Sequence, residues 1–359
     1  MRERVRIERG RGALSNPAAR FEPRRIVPLD GDLDLDRADE PQPLQTTITP
    51  ERTRTIITRN DSPDIPFNRS INPYKGCEHG CVYCFARPAH AYLGLSPGLD
   101  FETRIVSKPE AARLLRSEFR RPGYRCETLA LGANTDPYQP AERSLGITRS
   151  ILEVMAEHRH PVTIITKSDL VLRDLDLLQP LAQCNLVSVM ISVTTLDRKL
   201  ARFMEPRAVT PRRRIEVIRT LSGAGIRTGV LASPMILGLN DHDLERILEV
   251  SAAAGARSAG TILLRLPLEI KDLFTEWLQV HYPLKASRVL HLVRETRGGK
   301  LNDSTFGTRM RGTGPHAEML RRRFEVARLR YGLSEKPRPL DTRQFRVPRE
   351  KAEQLPLFD

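Results

Sequence analysis

The sequence predicts an α/β protein in which strand–helix units repeat around a parallel sheet. Three observations lead there. Short, almost wholly apolar runs recur between residues 66 and 266, as strands buried on both faces require. Amphipathic stretches with helical spacing separate them, the alternation of βα units. The runs number six once "FNRSINPYK" is counted, too few for a full eight-fold barrel. A partial (β/α)6 barrel and an open doubly wound sheet both fit this periodicity.

The elements follow in order. Residues 1–60 lack periodicity and read as a mostly flexible tail with a short ordered segment near its end. Residues 85–126 read as helical. "ETLALGA" (127–133) is a buried strand, and "SLGITRSILEVMAEHR" (144–159) repeats apolar residues at helical spacing. "PVTIITK" (161–167) is a strand, followed by the helix 168–182 with Ser168 as N-cap. "NLVSVMISVTT" (185–195) is a strand. The helix 210–225 has Pro211 in its first turn and a glycine at its end. "IRTGVLASPMI" (226–236) is a strand, the helix 240–256 is capped by Asn240 or Asp241, and "SAGTILLRL" (258–266) is the last strand. Residues 61–300 form the core domain, 301–335 a helical extension and 336–359 an extended, proline-bearing tail.

Composition narrows the class. Hydrophobic residues make up 40% and charged residues 28% of 359. No run approaches the roughly 18 apolar residues of a membrane span. The basic N-terminus has no apolar signal core, so the expected compartment is the cytoplasm and no membrane partner is expected. A formal charge of +14 and a pI near 10.0 favour polyanions such as nucleic acid, although arginine-rich composition alone also produces such values.

Cysteine use is uneven. Cys77, Cys81 and Cys84 stand within eight positions at C-x3-C-x2-C spacing, while Cys126 and Cys184 lie far off. Such crowding is poor disulfide geometry and points to metal or redox chemistry. Structural zinc usually takes four protein ligands. Three thiolates instead leave one iron of a 4Fe–4S cluster open to a cofactor or substrate. Gly76 and Gly80 let the loop curl so that backbone N–H groups can face the sulfurs, and Tyr83 and Phe85 flank the last thiol. The competing reading is zinc completed by His79 or His90.

The triplet, with Tyr83 before its last cysteine and just past a predicted first strand, resembles the signature of the radical S-adenosylmethionine (SAM) superfamily. That resemblance spans about residues 60–300. It implies a partial (β/α)6 TIM-type barrel whose 4Fe–4S cluster, fed by an electron donor, cleaves SAM to methionine and a 5′-deoxyadenosyl radical. Further stretches resemble the spore-photoproduct-lyase-like, DNA-repair-photolyase-like branch: "GANTDPYQPAE" (132–142), "IITKS" (164–168), "MISVTT" (190–195), "FMEPRA" (203–208) and "RTGVLASPMI" (227–236). By that resemblance Lys167 contacts the SAM carboxylate and Ser192 contacts SAM, with Tyr83, Phe85 and Thr135 completing the cofactor pocket. Lys167, Ser192, Thr135 and Ser233 fall at or near C-terminal ends of predicted parallel strands, where sites of such sheets gather.

Two departures stand out. The lyase's hydrogen-donating cysteine would fall near Ala133, and Cys126 sits a strand-length upstream. "GANTD" also replaces the Gly-Gly-Glu-like sequence that many superfamily members carry after the second strand.

The terminal "QLPLFD" carries Gln354, Leu355, Leu357 and Phe358 in the pattern Q-L-x-L-F. It resembles the motif by which bacterial repair proteins dock on the sliding clamp: apolar anchors on a flexible tail, with an amide fixing register. Three functions follow for test: a radical SAM enzyme acting on nucleic acid, one acting on a protein or small molecule, and a non-catalytic iron–sulfur or zinc module that binds nucleic acid or the clamp.

Overall fold

The computed structural model describes Glu8 and residues 10–21, 44–333 and 339–347. Its main sheet has seven strands. Six are parallel: β1 (Arg69–Ile71), β2 (Leu129–Leu131), β3 (Val162–Thr166), β4 (Val187–Ser192), β5 (Arg227–Met235) and β6 (Ser258–Leu263). Each pairs with its sequence neighbours, so the spatial order is 1-2-3-4-5-6. A doubly wound sheet reverses direction at a switch point. This order has none, which decides the fold in favour of the partial barrel. Antiparallel Ile57–Arg59 covers the free side of β1.

Strand parity sorts the side chains. On β3 and β4, Val162, Ile164, Thr166, Val187, Val189 and Ile191 are buried, and their apolar members pack with Ile151, Met155, Leu178, Val217 and Ile218 of the surrounding helices. The alternate residues Thr163, Ile165, Ser188 and Met190 are partly exposed and line the interior. Lys167 and Ser192 continue that inner set by the period-2 rule. Inside, Gly229 lets its neighbours approach closely: a Cβ there would lie 2.4 Å from both Met190 Sδ and Ser258 Oγ, so these side chains would have to shift.

Several helix starts match their sequence signals. Thr210 accepts a hydrogen bond from Arg213 N (3.4 Å) and Pro211 opens the helix Pro211–Gly223. Ser168 accepts from Leu170 N (3.2 Å), but the chain first makes a 3₁₀ turn before the helix Leu175–Gln183. Asn240 holds the cap position of the 3₁₀ turn Asp241–Asp243, but its side chain makes no capping bond there. Its amide donates to Thr194 O (2.8 Å) and Pro234 O (3.0 Å) and accepts from Ile236 N (2.6 Å), tying β4 to β5.

Two segments differ from the sequence reading. Residues 85–126 include the strand Arg104–Ser107, which joins Thr47–Pro50 and Tyr74–Lys75 in a second sheet beside the cysteine loop. Residues 10–21 are packed rather than free: Ala13 is fully buried, and the Gly12 and Ala13 amides donate to the buried Glu102 carboxylate at 2.9 and 2.8 Å. An interior carboxylate needs donors, and these backbone amides supply them. The expected helical extension is the helix Gly314–Arg330, laid against Leu244–Ala253 and β6. Gln354, Leu355, Leu357 and Phe358 lie outside the described residues.

Candidate functional site: the cysteine loop and the strand ends above the barrel

The loop carrying Cys77, Cys81 and Cys84 leaves the second sheet at Tyr74–Lys75 and runs on top of the barrel. It holds little regular structure, so side chains fix it. Arg87, fully buried, donates to Cys81 O (2.8 Å), Gly80 O (3.1 Å), Pro97 O (3.1 Å) and Gly98 O (2.9 Å), and pairs with Glu102 at 2.5 Å. From the other side Gln139 donates to Gly76 O (3.1 Å) and accepts from Glu78 N (2.9 Å). Gly76 has φ 80°, and a Cβ there would meet His90 Cε1 and Phe101 O at 2.9 Å. The Gly80 amide donates to Cys77 O (3.3 Å) and so is not one of the N–H groups expected to face a sulfur.

Cys77 and Cys81 are buried and Cys84 is half-buried. Burial pushes the Cys77 thiol up. It pushes Cys81 up to about 12, against the opposing pull of the Lys167 charge. Binding a metal centre must therefore drive these thiols to ionise. Soft thiolates on a closed-in, apolar-walled loop suit an iron–sulfur cluster, with Val82, Phe101 and Met204 among the surrounding groups. Mononuclear zinc requires donors about 2.0–2.3 Å from one ion. Among the described residues no three His, Cys, Asp or Glu side chains, the three cysteines included, are gathered as a metal site, so the choice between the two rests on the donor set. His79 is engaged by Asp136 at 3.3 Å, and His90 donates to Arg104 O at 3.0 Å.

A buried polar network lies beside the loop. The Tyr83 hydroxyl donates to Glu205 and lies 3.3 Å from Thr194 Oγ1. Glu205 also accepts from Thr194 (2.6 Å) and pairs with the buried Arg214 (2.5 Å), whose second arm donates to Ser192 O (3.1 Å). Burial alone would raise the Glu205 carboxyl, but Arg214 and Lys167 bring it down to about 2. Lys167 Nζ stands 6.0 Å from the Tyr83 ring centroid. Burial would depress its ammonium, yet Cys81 and Glu205 raise it on balance.

The "GANTD" turn works through a residue outside the expected set. Asp136 Oδ1 accepts from Thr166 Oγ1 (2.7 Å) and Tyr138 N (2.9 Å), and Oδ2 accepts from Lys167 N (2.8 Å). Burial opposes its charge, but His79 and these donors lower it to about 2. Asp136 thus joins the end of β3 to the cysteine loop. Thr135 is buried and its hydroxyl donates to Tyr74 O (3.0 Å), tying the turn to the strand that leads into the cysteine loop. Ser192 is buried at the end of β4. Phe85 is 51% exposed, outside the buried cluster around Tyr83. Cys126 precedes β2, beside Arg69 and Tyr124, at the end of the barrel opposite Lys167.

Sequence reading missed Arg87, Glu102, Glu205, Arg214 and Asp136. The available signals were "FMEPRA", which holds Glu205, and "GANTDPYQPAE", which holds Asp136.

A mixed-sheet partial barrel with three cysteines on the loop after its first strand defines a class, and the comparisons agree. Residues 71–250 match the profile described as Radical SAM superfamily, and the chain belongs to that superfamily. It is an enzyme of that family with its reaction unassigned. The uncharacterized protein Rv2578c of Mycobacterium tuberculosis (strain ATCC 25618 / H37Rv) is 38% identical over 288 residues, covering 79% of this chain and 81% of the relative. The uncharacterized protein MJ0683 of Methanocaldococcus jannaschii is 29% identical over 171 residues, covering 48% of this chain and 61% of that one. Among solved structures, a spore photoproduct lyase variant with bound AdoMet and dinucleoside spore photoproduct has a TM-score of 0.55 at 15% identity, covering 79% of this chain and 78% of that chain. That likeness speaks for the fold. Among the described residues no helix is long and apolar enough to cross a membrane.

Proposed function

We propose that Cys77, Cys81 and Cys84 hold a 4Fe–4S cluster whose open iron binds SAM, and that the enzyme acts on nucleic acid. When bound, the cluster supplies the electron that cleaves SAM to methionine and a 5′-deoxyadenosyl radical, which takes a hydrogen atom from the substrate.

One observation carries the reading: Lys167 has no carboxylate within ion-pair distance among the described residues, although it sits beside Cys81 on the inner face of the barrel. A half-buried ammonium in that position calls for an anion, and the SAM carboxylate supplies one. Ser192, on the same inner face one strand over, is the second contact. Tyr83 is the wall between the cysteine loop and the Glu205–Arg214 pair, and Thr135 positions the turn behind it. Phe85, exposed beside Cys84, shields the site when substrate covers it.

Nucleic acid is favoured by the +14 charge and by the fold shared with a lyase solved with a dinucleoside lesion. The lyase's own reaction is not favoured, since β2 carries no cysteine at its C-terminal end. The Q-L-x-L-F tail at Gln354–Phe358 is proposed to dock on the sliding clamp.

Anaerobic reconstitution tests the core of this. Four irons per chain and dithionite-dependent 5′-deoxyadenosine support it, and turnover that survives Cys77→Ala, Cys81→Ala or Cys84→Ala refutes the ligand set. One zinc per chain refutes the cluster. Salt-dependent DNA binding separates nucleic acid from a peptide or small-molecule substrate. Deleting 354–359 should remove clamp binding and spare SAM cleavage; unchanged clamp affinity removes the docking assignment.

A further inference from the structure

A second charged constellation lies at the C-terminal end of β6, on the same rim as Lys167 and Ser192 but outside the network described above. Past Leu263 the chain carries Arg265. Its Nε is buried without a hydrogen-bond partner among the described residues, and its Nη1 reaches only Met310 Sδ, at 3.4 Å. No carboxylate pairs with it at ion-pair distance among those residues.

Its neighbours come from the loop 302–312 and from residues 62–64. Arg309 Nε pairs with Asp64 at 2.5 Å, and a second arm donates to Ser62 Oγ. Asp64 accepts from Gly307 N as well (2.7 Å). Asp64 is thus one carboxylate facing two guanidiniums, and the pair keeps an excess positive charge. Arg309 also stacks over the Phe306 ring, 4.5 Å from its centroid, and Phe306 is 57% exposed.

The loop is presented firmly. Buried Arg297 donates to Arg309 O (2.8 Å), Thr308 O (3.3 Å), Leu263 O (3.1 Å) and Leu264 O (2.6 Å). Leu263 N in turn donates to Met310 O (2.9 Å). The loop therefore continues the edge of the sheet at β6, while Asp64 belongs to the segment between Ile57–Arg59 and β1 at the other edge. Across the open seam of the barrel the two edges meet through Asp64, Ser62, Gly307 and Arg309.

An unpaired, half-buried arginine beside a second arginine matches the fork geometry of a phosphate. An exposed aromatic ring already backed by a guanidinium is the surface on which an unstacked base rests. Resting on the nucleic-acid reading above, we propose that Arg265, Arg309 and Phe306 dock one nucleotide of an unpaired strand at the barrel seam: phosphate on the arginines, base on the phenylalanine.

The test is fluorescence anisotropy of the reconstituted full chain with a labelled oligothymidylate across a salt series. Arg265→Gln should weaken binding about tenfold or more, through loss of a charge-assisted contact. It should also lower the slope of log affinity against log salt by about 0.7, one single-strand phosphate. Phe306→Ala should weaken binding about 5- to 150-fold and leave that slope unchanged. Arg265→Lys should keep the slope and lose part of the affinity. All three should cleave SAM without substrate at the parent rate, which separates a docking defect from misfolding. If the parent binds with a clear salt slope and Arg265→Gln and Phe306→Ala bind as well as it does, this site is wrong and the nucleic-acid reading stands. If the parent does not bind the strand at all, both fall, while SAM cleavage remains the measure of the superfamily chemistry.

Discussion

Gly12→Ala tests how the N-terminal segment supports the cysteine loop. Gly12 crosses the loop at Gly80, between Cys77 and Cys81. A Cβ on Gly12 would lie 1.8 Å from Gly80 O and 3.0 Å from Gly80 C. Both groups are backbone, so no rotamer relieves the overlap, and the segment must retreat by more than an ångström. Retreat breaks the bonds from Gly12 N and Ala13 N to Glu102, at 2.9 and 2.8 Å. Glu102 is fully buried and would keep only Arg87. Two hydrogen bonds to a charged group contribute about 3–6 kcal/mol together. At about 2.1 cal/mol/K per residue of unfolding entropy, that lowers Tm by roughly 4–8 °C in a chain of this length.

Calorimetry of the apoprotein and iron content after anaerobic reconstitution are the assays. Both should fall, because Arg87 holds Cys81 O and Gly80 O only while Glu102 holds Arg87. Gly223→Ala is the control: nothing lies within 4 Å of a Cβ there, and Tm should hold or rise slightly. A Gly12→Ala protein with Tm within a degree of the parent and full iron loading would refute the strap.

Two other outcomes follow from buried groups. His160 is fully buried, stacked on Phe119 at 4.5 Å, and burial lowers its pKa to about 3, with His158 and Arg69 adding repulsion. Pro161 O only accepts, so Nδ1 carries the proton and Nε2 accepts from the Tyr124 hydroxyl at 2.8 Å. The folded pKa lies below the unfolded 6.5, so this stabilisation is complete above pH 6.5 and is lost as pH falls toward 3, by about 2 kcal/mol at pH 5. Denaturant titrations at pH 7 and pH 5 should show that loss in the parent and much less of it in His160→Gln; equal losses would count against it. Lys167→Gln should weaken SAM binding about tenfold or more through loss of a charge-assisted contact, at unchanged iron content. Calorimetric titration with SAM reads this, and unchanged affinity would remove the carboxylate contact.

The strands were legible because each is a local apolar run, and helix starts such as Thr210–Pro211 are local too; the barrel itself came from the family resemblance. Strand order was not legible, since pairing joins residues far apart in the chain. The cysteine triplet was legible for the same reason as the strands: its spacing lies within eight residues. Lys167 and Ser192 were reached through the resemblance of "IITKS" and "MISVTT", each residue at or near the end of a predicted strand. The groups that hold the loop were not. Glu102 finds its donors about 90 residues away, and Tyr83 meets Glu205 across 122. Read singly, such charges look like solvated surface. The N-terminal segment gave no sign of its packing because its partners are distant in the chain: Gly12 N, Ala13 N and Arg11 bond Glu102, and Ser15 bonds Glu276.

The two buried ion pairs flanking the cysteine loop bear on what holds it. Arg87–Glu102 lies on the side of the N-terminal segment and Arg214–Glu205 on the side of Tyr83 and Ser192. Buried pairs are poor sources of net stability, because desolvation offsets most of their attraction. Their frequent use here is better explained by position. A loop with almost no ladder or helix bonds of its own needs directional contacts at several points, and apolar packing is non-directional. Arg87 spans four carbonyls around the loop with one planar fork, and Arg214 fixes the end of β4 against the carboxylate that receives Tyr83. Breaking either pair leaves an uncompensated buried charge. The consequence should appear first as disorder in the cysteine geometry, before it appears as unfolding of the barrel, whose core lies on the far side of the strands.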